Sequence, residues 1–189
     1  GTRFDQFPGA PAVANGTGGF VINGLGGFDD TGRSVAAAGD VNGDGLSDLI
    51  IGAKFSDPVT GTDAGKSYVV FGKAGSFGAT LELSTLNGSN GFKIQGVAAD
   101  DQSGRSASRA GDVNGDGHSD VIVGAPYHDN GRTEGGRAVV YLGSASGLAT
   151  TAAWTAEIDQ DWASFGDSVA TAGDVNGDGY SDVTIGAPG

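Results

Sequence analysis

The chain has 189 residues, of which 37 are Gly, and its 23 acidic and 10 basic side chains give a formal net charge of −13. Because Gly inside a helix costs about 1 kcal/mol relative to Ala, we expect few helices, although 38% apolar residues can still form a core. The charge argues against binding to nucleic acids or anionic membranes, the short apolar runs argue against a membrane span, and the absence of Cys excludes disulfides and thiolate metal sites.

The first 19 residues form an N-terminal segment that precedes the first predicted strand. They begin without Met and contain neither a charged n-region nor an apolar h-region. We therefore expect a processed or excised end rather than a signal peptide. One option is that this segment supplies a strand to the last repeat unit described below.

The rest of the chain is a tandem array. The sequence Ala-Gly-Asp-Val-Asn-Gly-Asp-Gly begins at Ala38, Ala110 and Ala172, and flanking Ser, Gly and aromatic residues recur at the same offsets. Fixed offsets of this kind are typical of repeat architectures. We divide the array into units at 20–91 and 92–153 and a truncated unit at 154–189.

Each complete unit is predicted to contain four short strands bounded by Gly, Asn or Asp. The second strand of each unit is rich in small residues, which pack well where sheets crowd together around an axis. The sequence thus predicts an all-β fold of four-stranded antiparallel propeller blades, about three in number. The strands are expected at 20–22, 35–38, 49–51 and 68–71, at 92–94, 107–110, 121–123 and 139–142, and at 155–158, 169–171 and 183–185.

Every copy of the repeat contains a nine-residue loop, Asp-x-Asn-x-Asp-Gly-x-x-Asp. Side-chain oxygens at positions 1, 3, 5 and 9, a main-chain carbonyl at position 7 and a Gly for the sharp turn suit Ca²⁺. Oxygen donors without nitrogen or sulfur argue against zinc or copper. Three calcium sites are therefore predicted. Their ligands are Asp40, Asn42, Asp44, Leu46 and Asp48; Asp112, Asn114, Asp116, His118 and Asp120; and Asp174, Asn176, Asp178, Tyr180 and Asp182, with Leu46, His118 and Tyr180 contributing carbonyls.

The distribution of charge supports this interpretation over a metal-free turn. Without the nine Asp residues of the loops, 14 acidic side chains face 10 basic ones, so most of the net charge lies in the loops. Crowded carboxylates repel one another unless a cation lies between them. An EF-hand and a dockerin-type loop fit less well, because position 12 is Ile51, Val123 or Ile185 and a strand follows. The side chain of His118 is expected to point outward.

The order of strand, Asp-rich loop, strand and Gly-Ala-Pro resembles the FG-GAP repeat of integrin α-subunit β-propellers and their bacterial relatives. Residues 165–188 carry the full pattern, from Phe165-Gly166 to Gly186-Ala187-Pro188. The first two units depart from it, with Thr31 and Ser103 in place of Phe and Lys54 in place of Pro. The resemblance implies that each ion lies in a hairpin loop between adjacent strands of one blade, and that any partner binds elsewhere.

Motifs for catalysis or nucleotide binding are weak. The segment 61–67 resembles a phosphate loop but has one residue too few between its glycines, and a strand follows. Neither His118 nor His128 has a Ser at nucleophile-elbow spacing. The pairs Asp29/Asp30 and Asp100/Asp101 precede the second strand at related positions, which favours a structural role over that of a glycosidase pair. We therefore expect no enzymatic activity.

The predicted function is that of a calcium-loaded extracellular module, secreted or at the cell surface, for adhesion or for binding a protein or glycan. Variable connections between the third and fourth strands provide candidate contact residues, namely Phe55, Tyr127, His128 and Arg132. The alternative is a non-catalytic, carbohydrate-binding ancillary domain of a secreted hydrolase or lyase. Because closed propellers need about four to eight blades, we also expect either an excerpt of a longer protein or closure of the ring by self-association.

Overall fold

A computed structural model describes residues 19–189, and these residues form strands joined by turns with one short 3₁₀ turn at Leu83–Thr85. In this part of the chain no helix has the length and apolar character to cross a membrane. The predicted role of the N-terminal segment as an added strand lies almost wholly outside the described residues. The strands are β1 (Val21–Asn23), β2 (Thr31–Gly39), β3 (Asp48–Ala53), β4 (Lys66–Val70), β5 (Thr80–Glu82), β6 (Gly91–Gln95), β7 (Ser106–Gly111), β8 (Asp120–Ala125), β9 (Arg137–Tyr141), β10 (Trp154–Glu157), β11 (Ser168–Gly173) and β12 (Asp182–Gly186).

Two four-stranded antiparallel sheets dominate the fold, with the orders β2-β3-β4-β6 and β7-β8-β9-β10. Strands β11 and β12 form an antiparallel pair at the position equivalent to β2-β3 and β7-β8. This confirms the predicted all-β architecture of propeller blades. The interior strands β3 and β8 are rich in β-branched residues and buried almost throughout, as expected for a strand with a partner on each side.

The hydrogen bonds group the strands differently from the sequence-based units. Strand β6, predicted to open the second unit, pairs with β4 and completes the first sheet. In the same way β10 pairs with β9, whereas β1 pairs in parallel with β5. The sheets therefore run across the predicted unit boundaries at 91/92 and 153/154, because the outer edge of the first sheet is completed by β6, which follows β5, and that of the second sheet by β10.

The small-residue strands β2, β7 and β11 lie next to one another at the inner edge of the sheets. Ser34 Oγ donates a hydrogen bond to the carbonyl of Gly104 (3.0 Å), and Ser106 Oγ donates to that of Gly166 (2.6 Å). A Cβ at Gly124 would collide with the same Gly166 carbonyl. Small side chains are thus required here because backbones of adjacent blades approach closely.

The largest core cluster lies between the two four-stranded sheets. It joins Val41, Val69 and Phe71 of the first sheet to Val121 and Leu148 of the second. A second cluster, around Tyr68 and Leu83, packs the far face of the first sheet. A third cluster joins the second sheet to the β11–β12 pair. Apolar packing between neighbouring blades therefore fixes the relative positions of the three Asp-rich loops.

Candidate metal-binding loops

Each Asp-rich loop connects the two innermost strands of a sheet. The first loop joins β2 to β3, the second joins β7 to β8, and the third joins β11 to β12, all three as antiparallel hairpins. In the first loop Gly43 and Gly45 have φ values of 73° and 84°, a region that side chains other than Gly rarely adopt. The corresponding glycines of the other loops repeat these values closely. The local sequence therefore sets the same sharp turn three times.

The side chains at positions 1, 3 and 5 gather around the backbone of their own loop. Asp40 Oδ2 accepts a hydrogen bond from Gly45 N (2.8 Å), and Asp44 Oδ1 accepts one from Leu46 N (2.8 Å). Asn42 Nδ2 donates to Asp44 Oδ2 at 3.0 Å. The structure thus brings Asp40, Asn42 and Asp44 together. The same contacts recur for Asp112, Asn114 and Asp116 and for Asp174, Asn176 and Asp178.

The Asp at position 9 has a different environment in the first two loops. Asp120 is fully buried, and its two oxygens accept hydrogen bonds from Val113 N (2.8 Å) and Gly143 N (2.9 Å). Asp48 is equally buried and accepts from Val41 N (2.8 Å) and Gly72 N (2.7 Å). Each carboxylate therefore ties its loop to the end of the third strand of the sheet.

Burial raises the pKa of both carboxyl groups at position 9, although their backbone hydrogen bonds act in the opposite direction. Nearby loop carboxylates add to the increase, Asp44 and Asp40 for Asp48 and Asp116 and Asp112 for Asp120. In contrast, hydrogen bonds from the His118 backbone and from Asn114 lower the pKa of the exposed Asp116. In the first two loops, part of the negative charge is thus held in a buried, unfavourable site.

The expectation that the His118 side chain points outward is wrong. A Cβ placed on Gly43 of the preceding loop would lie 2.8 Å from His118 Nε2, and the ring is only 22% exposed. The ring of Tyr180 covers Gly115 of the second loop in the same way. In the second and third loops the side chain at position 7 therefore packs against the preceding loop.

Backbone hydrogen bonds also connect successive loops. Ser119 N donates to the Asp40 carbonyl at 2.8 Å, and Ser181 N donates to the Asp112 carbonyl at 2.9 Å. Sequence reasoning did not predict this contact between blades. The recurrence of Ser at position 8, as Ser47, Ser119 and Ser181, was the one available indication. Position 1 of one loop is therefore fixed by position 8 of the next.

The donor chemistry of the loops fits a hard divalent cation. Carboxylate, amide and main-chain oxygens are the ligands that Ca²⁺ prefers. Within residues 19–189, no Lys or Arg forms an ion pair with a loop carboxylate, and only His118 Nδ1 lies near one, 3.2 Å from Asp116 Oδ1. In that same part of the chain, no group of three or more His, Cys, Asp or Glu side chains is arranged to hold a metal ion. The ligand sets remain a prediction.

Comparison with known protein families matches the FG-GAP repeat to residues 31–70, 103–141 and 165–189, which is more than half of the chain. The chain belongs to the FG-GAP repeat family. Each matched segment contains one Asp-rich loop together with the two strands that flank it. The resemblance inferred from the loop motif and the Gly-Ala-Pro pattern is thereby confirmed.

Curated relatives that contain similar FG-GAP sequences are integrin α chains. Integrin alpha-PS5 of Drosophila melanogaster is 32% identical over 164 residues, which cover 84% of this chain and 15% of the relative. Integrin alpha pat-2 of Caenorhabditis briggsae is 37% identical over 163 residues, covering 80% of this chain and 13% of the relative. Integrin alpha-4 of Xenopus laevis is 33% identical over 160 residues, covering 82% and 14%. The chain thus spans about one seventh of the length of these relatives.

The candidate ligand-contacting residues of the FG-GAP sheets differ in accessibility. His128 is mostly buried, with Nδ1 3.0 Å from Asp101 Oδ2 and Nε2 3.5 Å from Glu157 Oε1. Arg132 is 45% exposed and pairs with Asp159. Lys54 Nζ lies 3.8 Å from the ring centroid of Phe55. Tyr127 lines a surface pocket. Tyr127 and Arg132 therefore remain candidates for ligand contact, whereas His128 supports the loop from within.

Proposed function

We propose that this chain is a calcium-stabilised β-propeller module that acts outside the cell in adhesion or ligand binding, without catalytic activity. The observation that carries the proposal is the threefold recurrence of an all-oxygen loop with one internal hydrogen-bonding pattern and no Lys or Arg partner among the described residues. The similarity to integrin α chains supports an extracellular or cell-surface location. The FG-GAP resemblance supports calcium as the cation.

The expected gain in stability follows from mass action. A site with a dissociation constant of about 0.1 mM in about 1 mM calcium stabilises the folded state by roughly 1.4 kcal/mol. Three independent sites would add about 4 kcal/mol, which is large against a typical unfolding free energy of about 5–15 kcal/mol. At cytosolic calcium concentrations such sites would be empty. Calcium dependence and an extracellular location therefore support each other.

The experiment is a calcium titration after chelation, followed by thermal unfolding. For a chain of this size we expect an increase in Tm of about 8–16 °C between excess chelator and about 1 mM calcium. Isothermal titration calorimetry on the same sample should give about three sites. An unchanged Tm together with no binding heat would overturn the calcium assignment.

Two variants with the same change of charge separate specific binding from general screening. Asp112→Asn alters position 1 of the second loop, whereas Asp100→Asn alters an exposed carboxylate outside the loops. We expect the first variant to lose one calorimetric site and at least about one third of the increase in Tm, because the second loop contacts both of its neighbours. The second variant should behave like the unaltered chain.

Ligand binding is proposed for the opposite end of the sheets, on the connections that follow β3 and β8. Tyr127 lies there in a pocket with Asp100, Asp129 and Glu134, and Arg105 lies 5.4 Å from the Tyr127 ring centroid. Acidic groups around an aromatic ring favour a basic partner surface. Binding of basic peptides on a peptide array, and its loss in Tyr127→Ala, tests this assignment without involving the calcium loops.

A further inference from the structure

Every Asn in this chain is followed by Gly, which gives eight Asn-Gly pairs. In such a pair the backbone nitrogen of Gly, after losing its proton, attacks the side-chain carbonyl carbon of Asn. The attack closes a five-membered succinimide ring and releases ammonia, and water then opens the ring to Asp or isoaspartate. Gly favours ring closure because it has no Cβ to hinder it. Since the pairs are alike in sequence, the folded structure decides which of them reacts.

The Asn-Gly pairs of the Asp-rich loops are held by contacts that oppose this reaction. Asn114 Nδ2 donates to Asp116 Oδ2 (2.9 Å), and Asn114 Oδ1 accepts from Asp116 N (3.2 Å). Gly115 N donates to Asp112 Oδ1 at 2.7 Å, which retains the proton that this nitrogen must lose. The third loop has the same three hydrogen bonds. Because the reacting atoms have to come within about 3–3.5 Å in one orientation, these bonds must break before the ring can close.

Other pairs are restrained by their own neighbours. The side chains of Asn23, Asn42, Asn87 and Asn90 make hydrogen bonds of 2.6–3.1 Å. A Cβ on Gly24, which follows Asn23, would collide with the Thr31 side chain, and the His118 ring covers Gly43, which follows Asn42. The space that ring closure needs is therefore limited at these two glycines.

Asn130-Gly131, in the connection between β8 and β9, is held by weaker contacts. Asn130 Oδ1 accepts a long hydrogen bond from Arg132 N (3.3 Å), and Nδ2 donates to Glu157 Oε2 (3.2 Å). Gly131 N has no hydrogen-bond partner within residues 19–189. Gly131 is exposed, and a Cβ placed on it would have no neighbour within 4 Å. This pair thus combines a loosely held side chain, an unbonded Gly nitrogen and room for the ring.

We propose that Asn130 is a deamidation site of the folded chain and that its conversion alters the adjacent surface pocket. The reaction replaces a neutral amide with a carboxylate, and isoaspartate also lengthens the main chain by one carbon. The new carboxylate lies beside Glu157 Oε2, to which the amide donates before the reaction, and like charges this close repel. The connection at 127–134 therefore moves away from Glu157. Its residues Tyr127, Asp129, Thr133 and Glu134 line the pocket.

The test follows each Asn-Gly pair of the full chain by peptide mapping and isoaspartate assay. The chain is incubated at mildly alkaline pH in excess EGTA, well below its Tm, so that the loops are held by their hydrogen bonds alone. We expect Asn130 to convert at least about tenfold faster than Asn114 and Asn176, because breaking hydrogen bonds adds to the barrier at the loop residues. In guanidinium chloride the three rates should converge. Asn130→Gln, which would have to close a less favourable six-membered ring, should remove the early release of ammonia.

A second experiment measures the effect on the pocket. Asn130→Asp introduces the charge of the product without the reaction, and we expect it to shift the amide resonances of Tyr127 and Glu134. Combining it with Glu157→Gln removes the repulsion and should reverse most of these shifts. Asn87→Asp adds the same charge to an exposed turn outside the pocket and should leave these resonances unchanged.

The two experiments can contradict the proposal separately. Equal rates at Asn130 and Asn114 in the folded chain, or earlier conversion at Asn23, would overturn the assignment of the site. Unshifted resonances in Asn130→Asp, or shifts that persist when Glu157→Gln is added, would overturn the effect on the pocket.

Discussion

The buried carboxylate of Asp120 gives the sharpest test of how the loops are held in the fold. Asp120→Ala removes two acceptors and leaves Val113 N and Gly143 N without partners in a buried site. Each unpaired buried donor costs about 1–3 kcal/mol. Relief of carboxylate burial and of repulsion from Asp116 and Asp112 offsets part of this cost. We expect a net loss of about 3 kcal/mol, which for a chain of this size lowers Tm by about 6–12 °C.

The matched control is Asp116→Ala, which removes an exposed carboxylate from the same loop. Its hydrogen bonds with His118 N and Asn114 Nδ2 are open to solvent, so the expected loss is below about 1 kcal/mol. Both variants are measured by urea unfolding in excess EGTA and again in millimolar calcium. In EGTA only Asp120→Ala should be strongly destabilised, and in calcium both should lack one site's contribution. Equal losses in EGTA would refute the role of Asp120 as a tie between the loop and the third strand.

Three further results follow from the packing. Tyr68 is fully buried, its hydroxyl lies near Ser56 without a well-aligned hydrogen bond, and burial raises its pKa. Tyr68→Phe should therefore leave urea stability at pH 8 within about 1 kcal/mol, with Tyr180→Phe as the exposed control. Because a raised folded-state pKa contributes stability that is lost as the pH rises through it, unfolding free energy should fall above about pH 10 and fall less in Tyr68→Phe. Gly124→Ala places a Cβ against the Gly166 carbonyl and should lower the free energy of unfolding by about 1–3 kcal/mol in the same assay. In the control Gly27→Ala the new Cβ has no neighbour within 4 Å, so stability should barely change. Equal effects of the two changes would exclude close approach between blades. Finally, Tyr180→Ala should weaken calcium binding at the second loop, seen as a smaller calcium-induced change in the Gly115 and Gly117 amide resonances, and Tyr180→Phe should restore it.

The local parts of this fold were predictable from the sequence. Gly at positions 4 and 6 of each loop permits one turn geometry, and aliphatic residues on either side then form an antiparallel hairpin. The three hairpins, the all-β class and the gathering of positions 1, 3 and 5 depend only on residues within about 20 positions of one another. Because the same residues recur at fixed offsets in three copies, each of these inferences has more support than one copy alone would give it.

Other features depend on residues that are distant in sequence. Strand β4 pairs with β6 rather than with the next strand, β5, which pairs with β1 instead. The contact of His118 with Gly43 joins residues of adjacent blades. At position 9, a ligand-like Asp is turned toward Gly72 N or Gly143 N by the end of a strand more than 20 residues away. A loop motif gives residue types and spacing, but the direction of each carboxylate is set by neighbours that the motif does not contain.

Each loop therefore contacts up to three neighbours, namely the next loop, the preceding loop and the end of the third strand of its own sheet. Position 1 receives a hydrogen bond from position 8 of the next loop, position 7 covers a Gly of the preceding loop, and position 9 holds the end of the third strand. Ordering of one loop fixes groups in its neighbours, so free energy gained at one site also stabilises the contact between blades. Hydrogen-bonded and packed neighbours rarely contribute independently. For that reason the effects of loop variants should be non-additive between adjacent loops and close to additive between the first and third.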